Sequence, residues 1–223
     1  MRRKTNKEPA LSSWTALRCL FLFSWVLLPP VSCSRHQKHA PHAQFQQPQQ
    51  AASAALGTLG SIVNEQNYRS LGFESLGEVG SAQLGAPIPV YSLSLDQLKN
   101  FHAGQDAGGL LNPVVETIYP ISVGGSVRTG VTITPSGEGY VASSFGHAEI
   151  VRRIARYRMD QDAAVKIPAF NMYFVAHRSV AQILLTPIAD NPRLKVKAGE
   201  AAPFETVVEQ LRPYVESYDG PPK

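Results

Sequence analysis

Three arginines close together in the chain are the residues best suited to bind an anion. Arg152, Arg153 and Arg156 fall on the polar side of a predicted helix that runs from residue 147 to residue 158. A guanidinium group binds carboxylate or phosphate through a planar fork of donors. The alternative is a solvated helix face with ordinary surface charge. The arginines are therefore weak candidates for a binding site.

A serine and a histidine lie just before and at the start of the same helix. Ser144 and His147 occupy a predicted strand-to-helix turn, and Glu149 follows as a nearby acid. A serine-hydrolase elbow needs Gly-x-Ser-x-Gly, which the residues around Ser144 do not supply. We therefore predict no catalytic residue and lean against an enzyme. A hydrolase built from dispersed Ser, His and acidic residues is the alternative.

Two segments carry side chains that could ligate a metal ion. His36, His39 and His42 recur at every third position and are weak candidates for loose zinc or copper binding. A metal-handling protein that uses this tract is a further alternative function. Asp160 and Asp162 resemble the start of a calcium loop, but the glycine and glutamate that complete such a loop are missing. We predict no cofactor.

The positive net charge of +4 belongs to the N-terminal segment alone. Residues 1–33 hold five of the 21 Lys and Arg residues and one of the 17 acidic residues. The remainder carries 16 charges of each sign and is neutral. A neutral remainder has no global field that would attract phosphate, so we predict no nucleic-acid partner.

Residues 1–33 have the sequence pattern of an export signal. A basic region precedes the apolar run from Cys19 to Leu28, which Pro29 and Pro30 end. Ten apolar residues are too few to span a bilayer, which needs about 20. We predict a signal peptide over 1–33 and an extracytoplasmic location, whether periplasmic, secreted or lipid-anchored. Cys33 is a weak candidate for lipidation, and a membrane partner is expected only if it is acylated.

The rest of the chain predicts a linker and one domain. Residues 34–55, rich in His and Gln, are expected to be a disordered linker, and residues 56–223 a single domain. That domain is predicted to be α+β: an antiparallel sheet packed with two main helices. The sheet would consist of a first strand, a three-stranded meander and a later hairpin. Pro89 predicts an edge position for the first strand. Residues 160–166 are predicted to form a polar loop.

These observations favour a non-enzymatic binding or accessory domain of unknown ligand that is exported and associated with the cell envelope. Its partner would be a protein or a small molecule in that envelope. An exposed strand could recruit a partner strand by edge pairing. Nothing in the sequence predicts the oligomeric state.

Overall fold

The computed structural model describes residues 44–180 and 182–218, and it confirms a mixed α+β fold built on a nine-stranded, mostly antiparallel sheet. The strands are β1 (Gln83–Leu84), β2 (Ile88–Ser92), β3 (Glu116–Val123), β4 (Ser126–Ser136), β5 (Gly139–Gly146), β6 (Ala163–Ile167), β7 (Met172–Arg178), β8 (Ile183–Pro187) and β9 (Ala202–Pro203). The helices are α1 (Pro48–Ile62), α2 (Leu95–Lys99), α3 (Ala107–Leu110), α4 (Ala148–Tyr157) and α5 (Phe204–Glu216).

The sheet consists of two antiparallel halves joined by one parallel pair. Its order is β5-β4-β3-β2-β6-β7-β8-β9, and β1 pairs with β3 beside β2. Strands β2 and β6 run parallel, with Val90 opposite Ala164. A parallel pair needs a long crossover, and the chain between β2 and β6 includes three strands and three helices.

Helices cover both faces of the sheet. On one face α4 packs over the centre, where Val151 and Ile154 join a buried cluster with residues of β2, β3, β6 and β7. On the other face α1 covers the β3–β5 half. On the same face as α1, helices α2 and α5 cover the β6–β8 half. Helix α4 is the main helix on its face, and Arg152 and Arg156 on its outward side are exposed.

Two predictions about the centre of the sheet are wrong. The expected polar loop at 160–166 contains most of β6, whose residues are nearly all buried. The edge position expected from Pro89 also fails, because β2 lies between β3 and β6. The proline is tolerated there because the parallel register with β6 begins one residue later, at Val90.

The predicted linker needs correction, and so does the prediction of two main helices, because α1 is a third long helix. Residues 48–55 form the first half of the 15-residue helix α1 and are not a disordered linker. Ala51, Ala52 and Ala55 are buried against β-strand residues, so small apolar side chains fix this helix by close packing. The expected domain start at residue 56 therefore falls inside a helix. Residues 34–43 lie outside the described part of the chain, as does the predicted signal peptide 1–33.

No helix within residues 44–180 and 182–218 has the length and apolar character needed to cross a membrane.

Candidate functional site: the outer face of helix α4

Helix α4 presents its arginines to solvent because its opposite side is anchored in the core. Val151 and Ile154 are 1% and 0% exposed. Arg152 and Arg156 are exposed, and Arg153 is partly exposed. The structure of α4 therefore has the apolar side and the basic side that the sequence periodicity predicts.

One glutamate neutralises part of this basic face. Arg153 Nε lies 2.7 Å from Glu149 Oε1, and Arg152 Nη2 lies 3.4 Å from Glu149 Oε2. These hydrogen bonds, with Arg153 the stronger donor, hold the pKa of the Glu149 carboxyl below its ordinary value. Arg156 forms no ion pair within the described part of the chain. Its charge is the one on this face that has no fixed counter-charge there.

Two adjoining cavities lie between α4 and the segment that follows β8. One, of about 390 Å³, is bordered by all three arginines. The other, of about 250 Å³, is bordered by Arg153 and by apolar side chains that include Ile150 and Tyr173. Glu149, Arg153, Ile188, Ala189 and Asp190 border both cavities. We call this two-lobed depression the α4 groove.

The far wall of the α4 groove is held by hydrogen bonds of its own. Asp190 Oδ1 accepts the amide of Ala198 at 2.8 Å, and Asn191 exchanges backbone hydrogen bonds with Val196. Ile188 is buried in the same cluster as α4. The Ile188 amide also donates to the Tyr173 carbonyl of β7 at 3.2 Å, so the segment is fixed to the sheet and the depression is a built feature of the surface.

The serine and histidine of the hydrolase alternative do not form a catalytic pair. Ser144 lies within β5 opposite Thr132. His147 precedes α4 in a left-handed conformation, with φ of 55°. The described hydrogen bonds include none between these two side chains. Neither residue borders the α4 groove.

The metal and lipidation candidates are not placed by the structure. His36, His39, His42 and Cys33 all lie outside the described residues. Within residues 44–180 and 182–218, no group of three or more His, Cys, Asp or Glu side chains is arranged to hold a metal ion.

A polar cluster that the sequence did not reveal lies at the end of α4. Asp162, expected in a solvated loop, is only 3% exposed. Its Oδ1 lies 2.8 Å from His177 Nδ1, and its Oδ2 accepts the amide of Met159 at 2.9 Å. Arg158 donates to the Asp162 carbonyl and to that of Pro87, and burial lowers its pKa. Asp162 and His177 are 15 residues apart, so no local sequence pattern predicts that they pair. Only the fold identifies this cluster.

A scan against protein-family models found no match, and searches of curated proteins and of solved structures found none either.

Proposed function

We propose that this protein is a non-enzymatic binding module of the cell envelope that uses the α4 groove to hold an acidic partner. The observation that carries the proposal is the concentration of Arg152, Arg153 and Arg156 along one border of a fixed depression.

The chemistry of the groove favours a carboxylate-rich or phosphorylated ligand with an apolar portion. Arg156 supplies a guanidinium that is not paired within the described part of the chain, and Arg152 is held by Glu149 only at 3.4 Å. Both can therefore rotate toward an incoming anion. Ile150 and Tyr173 offer apolar contact in the smaller lobe. Burying apolar surface beside a charge-assisted hydrogen bond strengthens both affinity and orientation.

The envelope location is part of the same proposal. It is supported by the ten-residue apolar run that Pro29 and Pro30 end, and by the basic residues that precede that run. An extracytoplasmic protein with an acidic partner would meet it in solution or, if Cys33 is acylated, at a membrane surface. The partner would be a protein or a small molecule of the envelope.

The decisive experiment is a pull-down with the tagged full-length protein from a detergent-solubilised fraction of its own envelope. Wild type is compared with the double variant Arg152→Gln/Arg156→Gln at low and at high salt. We expect the double variant to bind the partner at least about tenfold more weakly, with a Kd increase that corresponds to about 1.4 kcal/mol. Its remaining binding should depend less on salt, because fewer charge contacts are left to be screened.

Lys99→Gln provides the matched control, because this exposed lysine belongs to α2 on the opposite face of the sheet. It removes a positive charge without touching the α4 groove, so the control should bind as wild type does. Unchanged binding by a double variant that still folds would exclude the arginine face as the binding surface.

A further inference from the structure

The two lobes of the α4 groove differ in their balance of charge. The charged side chains that border the smaller lobe are Glu149, Arg153 and Asp190, so acids outnumber bases there. Arg152 and Arg156 join the same three at the larger lobe, where bases outnumber acids. Because Glu149 and Arg153 pair with each other at 2.7 Å, their charges largely cancel. Asp190 therefore dominates the smaller lobe, and Arg152 and Arg156 dominate the larger one.

Asp190 has a carboxylate oxygen that is available to a cation. Its Oδ1 accepts the amide of Ala198 at 2.8 Å, whereas no hydrogen bond or ion pair involves its Oδ2 within the described part of the chain. The residue is exposed, so a ligand can reach it. It stands on the wall opposite α4. A ligand that lies across the groove would thus meet a carboxylate on one side and guanidinium groups on the other.

The smaller lobe adds apolar contact and a carboxamide to this carboxylate. The partly exposed side chains of Ile150 and Tyr173 border it, and its volume of about 250 Å³ leaves room for one large side chain. Asn171 lies at the same lobe, and its carboxamide can both donate to and accept from a peptide group. An apolar side chain beside an ammonium group and a peptide bond is the first residue of a polypeptide.

We propose that the α4 groove binds the free N-terminus of a polypeptide whose first residue is apolar and whose second residue is acidic. The first side chain enters the smaller lobe, and its ammonium group pairs with Asp190. The carboxylate of the second residue binds Arg152 and Arg156 in the larger lobe, because guanidinium forks match a carboxylate. The proposal rests on the proposed function, since it names the acidic partner that the groove would hold.

The acids of the groove disfavour a ligand that carries only negative charge. A phosphate or a dicarboxylate would lie against Glu149 and Asp190, which border both lobes. Charges of like sign across an interface select against a partner, and complementary charges select for it. A ligand that brings an ammonium group along with its carboxylate satisfies both walls. The acidic residues therefore make the N-terminus the better match.

Calorimetric titration of the full-length protein with Phe-Glu, N-acetyl-Phe-Glu and Gly-Glu tests this recognition. Acetylation removes the ammonium charge and should raise Kd about three- to fivefold, as expected for a partly exposed ion pair. Gly-Glu lacks the apolar side chain and should also bind more weakly than Phe-Glu. Equal Kd values for Phe-Glu and its acetylated form, or no binding of any of the three peptides, would overturn the proposal.

Asp190→Asn identifies the group that recognises the ammonium. Asparagine keeps an acceptor for the amide of Ala198 and removes only the charge, so the wall of the groove should be retained. This variant should bind Phe-Glu and N-acetyl-Phe-Glu equally. Asp96→Asn is the matched control, because this exposed acid belongs to α2 on the opposite face of the sheet and should leave the preference intact. A preference for Phe-Glu that survives in Asp190→Asn would contradict the proposal.

Two further measurements separate the proposal from the proposed function and assign the source of the ligand. Phe-Glu added to the pull-down should release a captured protein if the ligand is a protein N-terminus, and should release none if it is a free peptide. Arg152→Gln/Arg156→Gln should weaken the binding of Phe-Glu and of its acetylated form. If it does so while wild type does not distinguish the two peptides, the N-terminus proposal fails and the anion-binding groove stands. If the double variant binds both peptides as wild type does, the groove proposal fails as well.

Discussion

His177 Nδ1 lies 2.8 Å from Asp162 Oδ1, and this pair ties the end of β7 to the loop that leads from α4 into β6. The carboxylate is almost fully buried, whereas the imidazole is 39% exposed. Asp162 also accepts the amide of Met159, so one side chain fixes both the loop and the adjoining strand. The pair therefore positions the C-terminal end of α4, and with it the α4 groove.

Removing Asp162 is expected to destabilise the protein more than removing its partner. Asp162→Ala should lower the free energy of unfolding by about 2–4 kcal/mol, because the Met159 amide and the His177 imidazole both lose their partner. His177→Ala should cost about 1–2 kcal/mol, since Asp162 keeps the amide of Met159. Urea denaturation of both variants checks the order. A smaller loss for Asp162→Ala than for His177→Ala would show that the carboxylate does not hold the loop.

The amphipathic helix could be predicted from sequence, but the parallel centre of the sheet could not. The expected helix at 147–158 is observed as Ala148–Tyr157, because its apolar and basic residues repeat at the helical period. Strand β6 was missed since Ala163 and Ala164 have low strand propensity and follow a polar turn. Its partner β2 lies more than 70 residues earlier, and that pairing leaves no local pattern.

The same distinction applies to the candidate site. The three arginines were identified because helical periodicity alone sets them on one side. The opposite wall of the groove, including Ile188 and Asp190, could not be identified because tertiary packing brings it to α4. A weak helical pattern over residues 55–67 predicts the second half of helix α1, but its first half is not predictable for a related reason: the buried alanines carry little hydrophobic signal and gain their stability from close packing.

The core side of α4 should be far more sensitive to truncation than its basic side. Ile154 is fully buried, so Ile154→Ala should cost about 2–4 kcal/mol through lost transfer energy and a residual cavity. Arg156→Ala should change stability by less than about 0.5 kcal/mol, as is usual at an exposed position. Thermal and urea unfolding measure both. Similar losses for the two variants would mean that α4 is not anchored as described.

Stability in acid should depend on Glu78. Its Oε2 accepts the amide of Glu74 at 2.8 Å and its Oε1 accepts from Arg128 at 2.7 Å. These bonds, the backbone one above all, lower its pKa from the ordinary 4.5. A lowered pKa in the fold contributes stability that is present above pH 4.5 and is lost as pH falls through the folded value.

Wild type should therefore melt at a higher temperature than Glu78→Gln near neutral pH, and the difference should shrink as the pH falls below about 4.5. Melting curves across that range measure it. Glu149→Gln should show a difference of the same sign, because hydrogen bonds from Arg153 and Arg152 lower the pKa of the Glu149 carboxyl as well. A difference between wild type and Glu78→Gln that stays constant down to pH 2 would contradict the role given to the Glu78 carboxylate.

The close approach of α4 to the sheet depends on Gly130. A Cβ at this position would lie 2.9 Å from Val151 Cγ2 and 3.2 Å from Ile118 Cγ2, both in the buried layer. Gly130→Ala should therefore cost about 1–3 kcal/mol through overpacking. Gly57→Ala is the matched control, since nothing lies within 4 Å of a Cβ there, and the change should stabilise helix α1 by about 0.5–1 kcal/mol.

A double-mutant cycle identifies the source of the Gly130 effect. Val151→Ala removes the Val151 Cγ2 methyl group, the closest atom that the new Cβ would meet, so Gly130→Ala should cost less in that background than in wild type. The difference should amount to about 0.5–2 kcal/mol of coupling, because the two residues share one contact. Urea denaturation of the four proteins gives the value. Additive losses would mean that the alanine at 130 destabilises the strand itself and that the helix lies farther from the sheet than the structure shows.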